Sequence, residues 1–389
     1  MTLTNQRFSQ PNTGEPEDAA GLRAEAAEQV RQAVDDPGSL ARLLMQTVGI
    51  GGSDLHLAVG IPPCARLHGS LAPLPGWPNL RPEDTERLVR TALTVEQWQR
   101  FTRDHELDTA YSMQGVSRFR VNIYRQRGSV GAAFRVIPHA IPRLDDLGLP
   151  LSIEKFAHLP RGLVLITGPT GSGKSTTMAS LIDAANRTRT GHIMTIEDPI
   201  EYLHDHQRCL VNQREVGLDT AGFAVALKHV LRQDPDIILV GELRDMETTS
   251  VAVTAAETGH LVLATLHTQS AAQTIDRLID IYPAHQQSQI RAQLANCLQG
   301  VVTQALAPRR DGTGRVAIAE VMVISPAIRN LIREGKSHQI PTVIQSSAEL
   351  GMITFDQSLA NSYFERLISK QAALDLAHDP AEFKRLARM

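Results

Sequence analysis

Four short apolar runs, RGLVLIT, HIMTI, DIILV and HLVLAT, recur between residues 161 and 265, with stretches of helical spacing between them. Each run is continuous rather than alternating, and rich in β-branched residues. Runs of that length and kind suit strands covered on both faces of a parallel sheet. Strand and helix in alternation predict a doubly wound α/β core. In such a sheet the C-terminal strand ends share one edge, and ligand-binding residues collect there.

The first run leads into GPTGSGKST, residues 168–176, which opens a helical stretch. It matches G-x-x-x-x-G-K-[ST] at Gly168, Gly173, Lys174 and Ser175, with Thr170, Gly171, Ser172 and Thr176 completing the phosphate-binding stretch. Glycines let backbone N–H groups curl around phosphates, and the helix N-terminus adds positive potential. Lys174 is expected to reach the β and γ phosphates and Ser175 to ligate Mg²⁺, so ATP and Mg²⁺ are the expected cofactors.

Phosphoryl transfer also needs carboxylates, to hold the metal and to orient water. In a nucleotide hydrolase an Asp normally follows the buried strand as metal ligand. Here DIILV is followed by Gly241 and only then by Glu242. A second acidic box, TIEDPIEY, follows HIMTI and holds Glu197, Asp198 and Glu201. Both boxes are expected on the phosphate edge, with Glu242 on the metal side and carboxylates of the neighbouring strand standing in for the missing Asp.

HLVLAT is bracketed by His260 and His267. His267, at the C-terminal end, is expected on the same edge. With no metal-ligand spacing around it, it reads as a γ-phosphate sensor rather than a ligand. Arg277 either couples that signal to a helix or forms a surface ion pair. Arg118, Arg120 and Arg135 sit on alternating strands of an earlier region. They form either a solvated strand face or charge stabilisers acting across an interface.

That earlier region, residues 37–137, reads as a small α/β domain. SLARLLMQTV places Leu40, Leu43, Leu44 and Val48 on one helical face, RPEDTERLVRTAL and VEQWQRFTR read as helices, and SDLHLAV, CARLHGSL, SRFRVNIYR and GAAFRVI alternate as half-buried strands. PHAIPRLDDLGLP, residues 138–150, reads as a semi-rigid linker because proline restricts itself and its predecessor. Residues 1–36, rich in Gln, Asn, Pro, Glu and Ala, read as a disordered extension. From about residue 324 the chain reads as mostly helical. There SPAIRNLIREGK has a Ser N-cap, an early Pro and a closing Gly, and places Ile328, Leu331 and Ile332 on one stripe. The net charge of −3 gives no global attraction to nucleic acid. Cys64, Cys209 and Cys297 form no paired motif, which fits a reducing cytoplasm. No apolar run approaches the ~18 residues of a membrane span.

GPTGSGKST, TIEDPIEY, DPDIILVGELRD and TGHLVLATLHT, in this order, resemble the four signature boxes of the secretion ATPase superfamily. GGSDLHLAVGIPP, CLVNQREVG and AIRNLIRE make the chain most similar to the type IV pilus retraction ATPases within it, from about Leu40 onward. The resemblance implies an N-terminal PAS-like α/β domain, a C-terminal RecA-like P-loop ATPase domain spanning 151–389, and a cytoplasmic homo-hexamer. ATP would lie between the two domains, with arginines of the first closing on it. It also implies Glu201 as catalytic glutamate, Glu242 as the glutamate after the buried strand, His260 and His267 as the histidine box, and Arg118, Arg120 and Arg135 as basic positions of the first domain. The implied work is pilin removal for twitching motility at the inner membrane pilus base, against a platform protein and in some systems beside a second retraction ATPase. Residues 1–36 have no counterpart in the pattern, and AHDPAEFKRLARM resembles a tail of only some relatives. Assembly ATPases of the superfamily usually carry a four-cysteine zinc insertion in the ATPase domain, and this chain has none, which favours retraction.

Three rival readings stand beside this one. An accessory retraction ATPase would carry the same boxes. A nucleic-acid translocase is disfavoured by the charge and by the lack of a basic, aromatic strand-tracking stretch, so no direct nucleic-acid partner is expected. A non-hydrolysing scaffold is disfavoured by Glu201, Glu242 and His267.

Overall fold

The structure is a computed structural model, and it describes residues 39–388 apart from His68, Gln114, Gly115, Pro138 and His139. The extension expected over residues 1–36 lies outside the described residues. The chain divides into two compact units between Ile137 and Pro138.

The first unit holds a six-stranded antiparallel sheet of order β3-β2-β1-β6-β5-β4. Its strands are β1 (Asp54–Leu57), β2 (Cys64–Leu67), β3 (Ser70–Pro73), β4 (Glu106–Met113), β5 (Ser117–Gln126) and β6 (Ser129–Ile137). Helices Leu40–Gly49, Pro82–Arg90 and Val95–Asp104 complete the unit, and Leu43, Leu44, Phe101, Phe119 and Phe134 fill its core. CARLHGSL, read as one strand, is a hairpin of β2 and β3. β4 was not anticipated. It follows the helix Val95–Asp104 after one residue, His105, whose φ of +66° makes the turn without the Gly or Pro that marks such a break.

The second unit holds β7 (Gly162–Thr167), β8 (Gly191–Glu197), β9 (Cys209–Glu215), β10 (Ile237–Val240), β11 (Leu261–Leu266), β12 (Leu298–Pro308) and β13 (Arg315–Val323). Their order is β13-β12-β7-β11-β10-β8-β9, with every neighbouring pair parallel except β12 and β13. The α/β class expected from the apolar runs is therefore the one found. β7, β10 and β11 are buried along their whole length. Leu163 and Leu165 enter one core, while Val164 and Ile166 enter another, as period-two alternation across a sheet covered on both faces requires.

The β12–β13 hairpin was not anticipated. Its buried polar residues Thr303, Gln304 and Glu320 interrupt the apolar pattern that marks the other strands. Residues 142–150 also carry more structure than a bare linker. Leu144 and Leu149 are buried in the second unit's core, and Ser180 Oγ donates to the carbonyl of Pro142 at 2.7 Å. The C-terminal part is helical, over Pro326–Glu334, Ile340–Ser346, Phe355–Phe364, Lys370–Leu376 and Pro380–Leu386.

Candidate functional site

β7 ends at Thr167, and the glycine-rich loop runs from Gly168 to Gly173 into the helix Lys174–Thr188. Gly168 (φ +137°) and Gly173 (φ +91°) take backbone conformations that side chains disfavour. A Cβ on Gly168 would also lie 2.2 Å from the carbonyl oxygen of Gln304 and 2.7 Å from Ser172 Oγ. The loop is thus a tight cradle seated on β12. Lys174 Nζ donates to the carbonyls of Gly168 at 2.8 Å and Pro169 at 3.0 Å. An ammonium has three donors, so one remains for an incoming oxygen. Burial pulls the Lys174 pKa below its ordinary value, against the opposing field of Glu242. Thr170, Gly171 and Ser175 are exposed, and Ser172 is buried.

Glu242 follows β10 on the same edge. Its carboxylate is paired with Arg244 Nη2 at 2.8 Å and His267 Nε2 at 3.3 Å. Burial raises its pKa, but the Arg244 hydrogen bond and the His267 charge outweigh burial and hold it below the ordinary value. Gly241 keeps the strand close to its neighbour. Its N–H donates to the carbonyl of Ile196 at 2.8 Å, and a Cβ there would meet Ile196 O at 3.2 Å and Glu197 Cα at 3.4 Å. A residue with a side chain there would require these neighbours to give by a few tenths of an ångström.

The upstream box follows β8. Glu197 Oε1 accepts from Thr195 Oγ1 at 2.6 Å and from Gln213 Nε2 at 3.1 Å. Burial raises its pKa and outweighs those bonds and one from the backbone of Glu201. Glu201 is partly exposed. The next residue, Tyr202, has its hydroxyl 2.9 Å from Thr176 Oγ1. That contact fastens the box to the first turn of the loop helix, although β8 lies three strands from β7.

Strand order places the ends of β7, β11, β10 and β8 side by side, so the loop, His267, Glu242 and the upstream box share one edge. His260 does not join them. It precedes β11 at the opposite edge, with Nδ1 3.0 Å from the carbonyl of Ala255. Arg277 is exposed on the helix Ala271–Asp280, with no ion pair among the described residues. The three arginines lie in the first unit. Arg135 Nε donates to Asp54 Oδ1 at 2.8 Å, Arg118 Nη1 to Ser112 Oγ at 3.4 Å, and Arg120 stands directly opposite Arg135 across β5 and β6.

Sequence reasoning passed over Arg244, Tyr202 and Gln304. Arg244 and Tyr202 each sit within two residues of an acidic position already singled out. Gln304 lies on a strand that was not anticipated, 132 residues from its partner Ser172.

A phosphate loop on the β7 edge of a RecA-like sheet, faced by paired carboxylates, defines a P-loop nucleotide-binding protein. Residues 143–361 match the family described as type II/IV secretion system protein, and the chain belongs to that family. It is 46% identical over 344 residues to the type IV pilus retraction ATPase PilT of Pseudomonas aeruginosa, across 88% of this chain and 99% of that one. It is 45% identical over 341 residues to the type IV pilus ATPase PilU of the same organism, across 87% and 89%. A crystal structure of the pilus retraction motor PilT with bound ADP aligns at a TM-score of 0.83 over 87% of this chain and 97% of that one, at 46% identity. The ATPase DotB of Legionella pneumophila aligns at 0.75 over 85% and 93%, at 28% identity.

Proposed function

We propose that this chain is an ATPase motor that retracts type IV pili by removing pilin subunits at the pilus base. The observation that carries the reading is the meeting of the loop and both acidic boxes on one sheet edge, through Thr176–Tyr202 and the field of Glu242 on Lys174. Similarity along 99% of the PilT relative supports the coupling to retraction. The motor is a homo-hexamer on the cytoplasmic face of the inner membrane, working against a platform protein. Among the described residues no helix is long and apolar enough to cross a membrane.

In this mechanism the loop's N–H groups and the third donor of Lys174 hold the β and γ phosphates. Mg²⁺ suits the oxygen donors Ser175 Oγ and Glu242, whose paired oxygens each keep a further lone pair, and when bound it would neutralise phosphate charge. Glu201 takes the proton of the attacking water, worth about 10²–10⁴ in rate. His267, tied to Glu242, reports the γ-phosphate. Arg118, Arg120 and Arg135 stabilise charge on the nucleotide from the first domain.

A second reading has its own observation. Identity to PilU, a type IV pilus ATPase, is 45% and nearly equals that to PilT. Steady-state turnover, light scattering and rescue of a retraction-deficient strain separate the readings. Magnesium-dependent turnover by a ring, abolished in Glu201→Ala while the ring persists, with rescue by this chain alone, is the expected result. Rescue only beside a second motor would favour the accessory role. No turnover would sink the motor reading.

A further inference from the structure

We infer that Gln304 is a positioning residue of the phosphate loop, fixing which way the loop's backbone faces. The inference rests on the ATP-binding reading above and adds a residue that lies in none of the four boxes.

A loop that turns its N–H groups toward phosphates must turn its carbonyls away, and each buried carbonyl then needs a donor. Within the loop most partners are local. The carbonyls of Gly168 and Pro169 accept from Lys174 Nζ, and that of Gly173 accepts from the N–H of Thr177 at 3.0 Å. The carbonyl of Ser172 instead accepts from Gln304 Nε2 at 2.8 Å, in a buried bond from β12. Gln304 is 2% exposed.

The same residue meets the other end of the loop through its backbone, since its carbonyl oxygen is the atom that a Cβ on Gly168 would strike. Its own position is fixed. Thr303 pairs with Thr167 in the β12–β7 register, and their hydroxyls lie 2.8 Å apart in the core. Gln304 Oε1 and Ser172 Oγ are both buried without a partner among the described residues. A strand chosen for packing alone would carry an apolar residue at 304. The amide is there for its donor, which reaches a carbonyl that the loop's own turn leaves open.

An amide that orients the loop acts before chemistry, on ground state and transition state alike. Its loss therefore raises KM and leaves kcat nearly unchanged. The test is Gln304→Met, which keeps volume and removes the donor, with Gln304→Leu as a second variant that removes the donor with a different apolar shape. ADP affinity by calorimetry, KM and kcat for ATP, melting temperature without nucleotide and ring size would be measured on the full chain. Expected are a folded ring, ADP affinity and KM worse by tenfold or more, and kcat within threefold of wild type. Unchanged ADP affinity and KM in a folded variant would overturn the inference. So would a kcat loss at constant KM, or failure of both variants to fold, which would make Gln304 a purely structural residue. Wild-type protein that binds no ADP would instead remove the ATP reading, and this inference with it.

Discussion

His267 Nε2 and Glu242 Oε1 lie 3.3 Å apart, and Arg244 holds the other oxygen of the same carboxylate. Burial works against the contacts with Arg244 and His267, and the balance leaves the Glu242 pKa lowered. A lowered carboxylate stabilises the fold above its unfolded pKa, and that contribution is lost as pH falls through the folded value. Melting curves of wild type and Glu242→Gln, without nucleotide, should therefore differ most near neutral pH and converge below about pH 4.5, the region of an ordinary glutamate. A gap that stays constant down to pH 3 would contradict this.

Glu197 should behave oppositely. Its folded pKa is raised by burial, so its contribution is present below the unfolded pKa and lost as pH rises through the folded one. Glu197→Gln keeps a hydrogen-bonding oxygen and cannot ionise. Its melting temperature relative to wild type should rise as pH increases from 5 to 8. A falling or flat difference would count against burial as the dominant effect.

Gly241→Ala tests why the expected Asp is missing. The new Cβ meets Ile196 O, Phe223 Cε1 at 3.3 Å and Glu197 Cα, so backbone must move by tenths of an ångström. Overpacking of this kind costs about 1–3 kcal/mol. The expected variant is folded, has a lower melting temperature and turns over at least ~10-fold more slowly, since misplacing groups near the chemistry is costly. Wild-type turnover would show that the spacing of the two boxes is not critical.

Arg120 and Arg135 differ in what they contribute to stability. They are direct cross-strand neighbours of like charge, and only Arg135 has an ion pair among the described residues, to buried Asp54. Arg120→Ala should leave stability unchanged or raise it by about 0.2–1 kcal/mol. If Arg120 is a finger, turnover falls ~10³-fold or more. Arg135→Ala should cost about 1–3 kcal/mol, toward the low end because the guanidinium is largely exposed. Chemical denaturation and steady-state turnover of both variants check the pattern.

The parts of this site that are legible in sequence are those whose physics is local. The loop needs contiguous glycines, a lysine and a hydroxyl, and each acidic box follows its own apolar run. Sequence also places His267 at the C-terminal end of its strand, because strand polarity follows chain direction. It cannot say that Gly241 clears space for Glu197, since that contact depends on β8 lying beside β10. Nor can it find Gln304. The donor and acceptor are brought together by the pairing of β12 with β7, and a lone buried glutamine has no periodicity to betray it. β4 escaped because His105 makes a turn that is normally glycine's.

The strand that carries Gln304 has a mechanical consequence. β12 is eleven residues long, and extended backbone of that length spans roughly 35 Å. Leu298 and Val301 belong to the cores around the sheet, whereas Ala305 and Ala307 pack with Phe355, Leu359 and Phe383 among the C-terminal helices. Between those anchorages it supports the phosphate loop. Close-packed interiors are stiff. A displacement of the loop's floor would therefore tilt the whole beam, and its far end would move the terminal helices as one piece.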